Sequence, residues 1–593
     1  MQYPTLTEQA TTRQISDVFG GYNHNLRIGD GEFYDERNLC SDDYPLLTTR
    51  RQRGVYASPT NPQGMIAKDA LCYVDGSAFV INEKRIEMNL STAAEDCPKS
   101  LVSMGAYVII LPDKKYINTV EVSDRGSMEA TYTSTGDVTF SLCTADGGSY
   151  GSITASSTAP EKPANGAYWL DISGEQHALK VYSSATGVWS TVATTYVKIY
   201  ATGIGAQFAQ YDGVNISGIV KAGAMELNGA AVVWARDDDY IVVTGLLDTT
   251  VNQTVAEGAV TVKRSMPDMD FVIESGNRLW GCKYGYVDGK TVNEIYASKL
   301  GDFKNWNCFM GISTDSYAAS CGTDGQWTGA ITHLGYPLFF KENCLHKVYG
   351  TFPSNFQIQT TTCRGVQKGS GGSMAIVNEV LYYKSRGGVC VYDGSLPEEI
   401  SEAFGGEIYS DAVGGGHRNK YYLSMKDSGG TWCLFVYDTR LGTWHKEDAT
   451  HAEAWCSCQD EMYYIDASDK KIRTVLGRGT KDTSPISWMA ETGTIMALTT
   501  SSNYPEWISN KKFVGRMLIR MSLDAGATMQ VYIQYDSSGV WEKLWDMTGK
   551  NLRTFSFPVR PHRCDHFRLK LEGTGGAKIY SITKTLERGS DEM

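Results

Sequence analysis

NEVLYYKSRGGVCVYDGS, residues 378–395, decides the fold. Two short apolar runs, Val380 to Tyr383 and Val389 to Tyr392, flank a turn from Ser385 to Gly388. Runs of β-branched and aromatic residues that meet across a glycine turn form a hairpin. The same strand, turn, strand order recurs in GMIAKDALCYVDGSAFVI (64–81), in LGYPLFFKENCLHKV (334–348) and around residues 419–436 and 454–465. Two turn signatures accompany it. An aromatic residue followed by Asp-Gly occurs at 73–76, 211–213, 286–289 and 392–394, and Gly-x-Trp closes VYSSATGVW (181–189), VYDTRLGTW (436–444) and QYDSSGVW (534–541). Asp-Gly supplies the positive φ that a hairpin turn needs. These turns fix the class of fold and leave function open.

Four-stranded sheets repeating at roughly 40 to 50 residues are the mark of a propeller, because each blade buries its faces only against its neighbours. Residues 267–475 carry that spacing, and residues 15–122 share the pattern. Between them the sequence turns rich in Ser, Thr, Gly and Ala, with a loop at 156–166 (SSTAPEKPANG). The expected fold is therefore all-β: a β-propeller with an inserted β-domain and a C-terminal β-sandwich. The expected parts are an N-terminal arm and first blades (1–122), the insertion (123–260), the remaining blades (261–480) and the sandwich (481–593). Residues 485–496 are the one helical expectation in the C-terminal part.

The chain has 593 residues, 55 basic against 67 acidic, for a formal net charge of −12. That balance argues against wrapping nucleic acid by neutralising phosphates, while an acidic passage would repel DNA and let it slide. Fourteen cysteines are scattered with no CxxC spacing, which argues against a zinc ribbon and fits free thiols in a reducing compartment. MQYPTLTEQATTRQ at the start lacks a charged segment followed by an apolar run, and no stretch approaches 18 apolar residues. Neither export nor a membrane span is expected.

Several motifs invite chemistry and are better explained by turns. YGYVDGKT (284–291) ends like a phosphate loop, yet Tyr284 stands where that loop needs glycine and no helix follows. GGSYG (147–151) matches a nucleophile elbow in letters only, since a polar loop follows the serine. His562, Cys564 and His566 would share one face of a strand, but no fourth metal ligand is visible. SLDAGATM (522–529) resembles a structural Asp-box turn, and Asp237 to Asp239 sit between Trp234 and Tyr240 as a solvated turn would. No catalytic residue, cofactor site or metal site is expected, and the chain is expected not to be an enzyme. Arg50, Arg51 and Arg53 in LLTTRRQRG form the densest basic cluster of the first 100 residues. They are the candidate contacts to channel DNA or to a neighbouring subunit, against the plainer role of a solvated hairpin edge.

FGGYNHNLRIGDGEFYDERNLCSDDYPLLTTRRQRG (19–54) resembles the start of phage tail propellers. NRLWGC (277–282) with EIYASKLGDFKNW (294–306), and GVQKGSGGSMAIVNEVLYYKSRGGVCVYDGS (365–395), are similar to blades of the nozzle or tail-hub proteins of short-tailed phages. The resemblance implies a structural virion protein assembled in the host cytoplasm. It would form a homo-oligomeric ring, hexameric by that likeness, extending the DNA-ejection channel between a portal-side adaptor and the tail fibre or spike proteins. Genomic DNA would pass through without sequence-specific binding. The alternative is a tail-associated propeller glycosidase or depolymerase, or a receptor-binding module.

Overall fold

The computed structural model describes residues 11–96, 98–287, 289–481, 483–496, 511–549 and 551–588. Residues 1–10, in the expected N-terminal arm, and 497–510 and 589–593, in the expected sandwich, lie outside them, as does Asp288 of the third Asp-Gly turn. The fold is all-β: blades of a β-propeller, an inserted β-domain and a β-sandwich, with only short 3-10 turns as helix among the described residues. None of those helices is long and apolar enough to cross a membrane. The chain divides into two compact units. One is Met1–Lys99 with Phe339–Leu345 and Thr360–Met593; the other is Ser100–Leu338 with His346–Gln359.

In the first unit, the opening hairpin is the centre of a four-stranded antiparallel sheet, Ala375–Val377, Val380–Lys384, Val389–Tyr392 and Glu398–Glu399. Further meanders run Pro62–Ala67 to Lys84–Glu87 and Tyr409–His417 to Thr443–Lys446. A last blade runs Ala452–Cys458, Glu461–Asp466 and Ile472–Thr474, and its fourth strand comes from the other end of the chain. Gly54–Ala57 pairs antiparallel with Ile472–Thr474, setting Gly54 opposite Thr474. Backbone amides that would otherwise form a bare sheet edge are thereby satisfied. Gly54 is required by close approach: a Cβ there would lie 2.2 Å from the Arg478 carbonyl oxygen.

The sandwich draws on both chain ends as well. Thr11–Ser16 and Leu47–Thr49 pair with Ala577–Arg588, which also pairs with Lys512–Leu523. Lys512–Leu523 and Phe567–Thr574 alternate buried and accessible side chains, as a half-buried strand must. Met517, Ile519, Val531, Leu569 and Trp488 meet in its core. The helical expectation at 485–496 is corrected: Ser487–Thr492 is a strand held on both sides, by Glu32–Arg37 and Phe567–Thr574. Ladder partners on two edges, with Trp488 and Ala490 buried on one face, outweigh a weak local preference for helix.

In the second unit, two blades, Ser100–Met104 to Arg125–Ser127 and Phe271–Ser275 to Tyr317–Ser320, bracket the inserted domain. The insertion hangs on a stem of two antiparallel strands, Ala130–Thr133 and Thr261–Arg264. Its core gathers Phe140, Val197, Ile199, Phe208, Ile241 and Val262.

Candidate functional site

The three arginines singled out in the sequence lie at the approach to the closing strand, and the structure gives them different tasks. Arg53 is 8% exposed. Its Nη2 donates to Glu447 Oε2 at 2.6 Å, and its Nη1 lies 2.9 Å from Asp448 and 2.5 Å from the Thr450 hydroxyl. The Tyr464 ring sits 5.6 Å beneath the guanidinium. Burial opposes the charge on Arg53, but Asp448, Tyr464 and Glu447 outweigh it and raise its pKa. Arg50 donates to Asn38 and to Asp448, at 2.7 and 3.2 Å. Its pKa is lowered by burial and by the neighbouring Arg53. Asp448 is held below the usual carboxylate range because Arg53 and Arg50 outweigh its own burial. Arg50 and Arg53 thus spend their charge inside the fold. Only Arg51 is exposed, with a 3.4 Å contact to Asp42.

Around this network opens a cleft of about 270 Å³. Arg50, Arg51, Arg53, Arg418, Lys420 and Arg440 line it, against the two carboxylates of Asp42 and Glu447. Lys420 is tied to Asp42 at 2.5 Å and Arg440 to Asp438 at 2.9 Å. Asp42 is held below its usual range, with Lys420 and Arg51 overcoming its burial. Arg418 sits at the tip of the hairpin between Tyr409–His417 and Lys420–Asp427, at a φ of 54°. It is exposed and makes no ion pair among the described residues. His417 beside it is 7% exposed; Nδ1 lies 2.8 Å from the Ser457 hydroxyl, while Nε2 has no hydrogen-bond partner. Burial, then Arg418, lowers the His417 pKa and keeps the ring neutral. Sequence inspection missed Arg418, Lys420 and Arg440, which stand more than 350 residues from Arg53. The signal available was the basic HRNK turn at 417–420.

A second, more open groove in the same unit has a volume of about 650 Å³ and is lined by Thr362, Arg364, Leu396, Glu398, Glu399 and Glu402, among others. Arg364 pairs with Glu399, which also accepts from the Ser401 hydroxyl. Glycoside hydrolysis uses two carboxyl groups flanking the scissile bond. This groove sets the carboxylates of Glu398, Glu399 and Glu402 along one surface.

The remaining motifs are placed as turns. Residues 284–287 and 290–291 lie on the two strands of the long hairpin Arg278–Val287 and Lys290–Ala297, and Asp237 to Asp239 turn between Ala235–Asp237 and Tyr240–Thr244. Gly147 and Gly148 close a turn braced by Thr144 and Asp146. Residues 562–566 do not run as a strand. His562 stacks on Tyr535, His566 bonds Ser537, and Cys564 is buried against the Lys512 carbonyl. Among the described residues no group of three or more His, Cys, Asp or Glu is placed to hold a metal ion.

No family model and no curated protein matches the chain. Solved structures do. One is an exo-beta-1,3-galactanase from Phanerochaete chrysosporium, at 10% identity and a TM-score of 0.22, covering 53% of this chain and 94% of that one. Another is a glycoside hydrolase family 43 arabinoxylan arabinofuranohydrolase from Bacillus subtilis, at 9% identity and a TM-score of 0.18, covering 54% and 94%. A Bacillus thuringiensis Cry1Da tryptic core variant aligns at 10% identity and a TM-score of 0.12, covering 53% and 50%. Scores of this size assign neither a family nor an activity to the chain. The expectation that the chain is not an enzyme is withdrawn: the solved structures it aligns with include glycoside hydrolases, and their scores leave activity open.

Proposed function

We infer that the chain is a carbohydrate-engaging β-propeller of a phage tail, acting as a receptor-binding or depolymerising module. The observation that carries this reading is the lining of the two clefts of the first unit. Both are built mainly from charged and hydrogen-bonding side chains. A hydroxyl-rich polymer needs directed donors and acceptors, whereas an apolar ligand needs an apolar pocket. A depolymerising activity would draw its carboxylates from Glu398, Glu399 and Glu402, with Arg364 paired to Glu399. The tail location rests on the resemblance at residues 19–54. That stretch feeds strands into two sheets before the closing strand enters a third; the resemblance also suits a ring subunit of a nozzle or hub, assembled in the host cytoplasm with adaptor and fibre partners.

The test is affinity electrophoresis of the purified protein through gels carrying acidic or neutral bacterial polysaccharides, with release of reducing ends measured in parallel. Retardation by a polysaccharide is the expected result. Release of reducing ends that disappears in Glu398→Gln or Glu402→Gln would mark hydrolysis. Unretarded migration through every polysaccharide, with no release of reducing ends, would overturn the reading.

A further inference from the structure

We propose that the basic cleft is the seat of a sugar carboxylate, so that the polymer engaged is an acidic glycan; this rests on the carbohydrate reading above. The argument begins with charge. The chain as a whole is at −12, and a polyanion approaching it is repelled on average. Against that background one cleft places six basic side chains against two carboxylates. Four of the six already have carboxylate partners fixed at short range: Arg50, Arg53, Lys420 and Arg440. Arg51 shares Asp42 with Lys420 at a longer distance. Arg418 has none among the described residues.

Arg418 is therefore the free fork of the cleft. A guanidinium presents parallel N–H donors whose spacing matches the two oxygens of a carboxylate. It sits in the left-handed region of φ, which a bulky side chain seldom adopts and which glycine or asparagine would adopt at less cost. His417, next to it, adds a second polar group. Nδ1 shares a hydrogen bond with the Ser457 hydroxyl at 2.8 Å, and Nε2 is buried with no partner among the described residues. A buried ring nitrogen without a partner carries a cost that a sugar hydroxyl, which both donates and accepts, would remove. Asn419, also on the cleft wall, suits a sugar hydroxyl. The volume of about 270 Å³ admits a single uronate residue rather than a folded segment of protein.

The experiment is isothermal titration of the full chain at fixed ionic strength with trigalacturonate, a neutral oligosaccharide of the same length, inorganic phosphate and a short single-stranded DNA. Arg418→Ala and Arg418→Lys are compared with wild type. Arg418 is exposed and holds nothing in place, so its replacement leaves the melting temperature unchanged. Trigalacturonate is expected to bind at least tenfold more tightly than the neutral oligosaccharide, to lose at least tenfold in Arg418→Ala and to recover only in part in Arg418→Lys. Equal binding of acidic and neutral oligosaccharides, or unchanged affinity in Arg418→Ala, overturns the carboxylate seat and leaves the carbohydrate reading standing. Binding of DNA in preference to trigalacturonate, or of phosphate alone, overturns the acidic-glycan assignment. Failure of every saccharide to bind, here and in affinity electrophoresis, overturns the carbohydrate reading itself.

Discussion

Arg53→Met tests the ion-pair network that joins the closing strand to the last two blades of the first unit. The substitution removes the 2.6 Å bond to Glu447 and the 2.9 Å contact to Asp448 while keeping most of the buried volume. Asp448 keeps one cationic partner, Arg50 at 3.2 Å, besides the Thr450 backbone N–H, and Glu447 keeps a 3.7 Å ionic contact with the same arginine. Breaking a buried pair by deleting one member costs about 3–5 kcal/mol, because the charge left behind is uncompensated. A chain of this size with two units does not unfold in a single step, so the loss is best read locally. At about 1.4 kcal/mol per tenfold, hydrogen exchange of the amides in Gly54–Ala57 and Ile472–Thr474 should accelerate by about two to four decades. Arg51→Met, at an exposed position, is the control and should change exchange by less than about threefold. If Arg53→Met leaves protection of both strands within threefold of wild type, the network does not hold the last blade closed and the reasoning fails.

Val55→Pro removes a ladder donor from the closing strand and should release the same two strands, seen as proteolysis within residues 50–60 that wild type resists. The lowered pKa values of Asp448 and Asp42 favour their ionised forms in the fold. Their contribution is therefore complete above the free carboxylate pKa of about 4 and is lost as pH falls through the lower folded values. Exchange protection of the last blade should decline in acid below about pH 4, and the decline should flatten in Arg53→Met. Lys384 has the opposite sense: burial lowers its pKa to about 8, so between there and the free-lysine value the unfolded chain binds more protons. Stability should rise across that alkaline window, and Lys384→Met should abolish the rise in thermal melts. Burial raises the thiols of Cys40 and Cys72 to about 11 and about 12, and both should resist iodoacetamide at pH 8 until the chain is unfolded.

What the sequence made legible was whatever depends on neighbours in the chain. Hairpins such as 380–392 and Asp-Gly turns follow from local alternation and turn chemistry; of the three Gly-x-Trp tryptophans, Trp189 and Trp444 fall on returning strands, and Trp444 alone of the three is buried, in a blade core. Pairings between distant segments leave no such trace. Nothing local in LLTTRRQRG shows that Gly54–Ala57 will lie beside Ile472–Thr474, or that Arg53 will meet Glu447 across nearly 400 residues. The helical expectation at 485–496 failed for the same reason, since its strand is fixed by partners from both ends of the chain. The candidate cleft was half visible. Arg50, Arg51 and Arg53 stood out as a cluster, but which of them is spent inside depends on Glu447 and Asp448. Arg418 comes to the cleft only when the blade carrying its hairpin folds against the N-terminal segment.

The most direct test of the account is a structure of the full chain with an acidic oligosaccharide bound. The account predicts a uronate carboxylate within hydrogen-bond distance of Arg418, with a sugar oxygen on His417 Nε2. An oligosaccharide seated away from that cleft, or an empty cleft at saturating ligand, would contradict it.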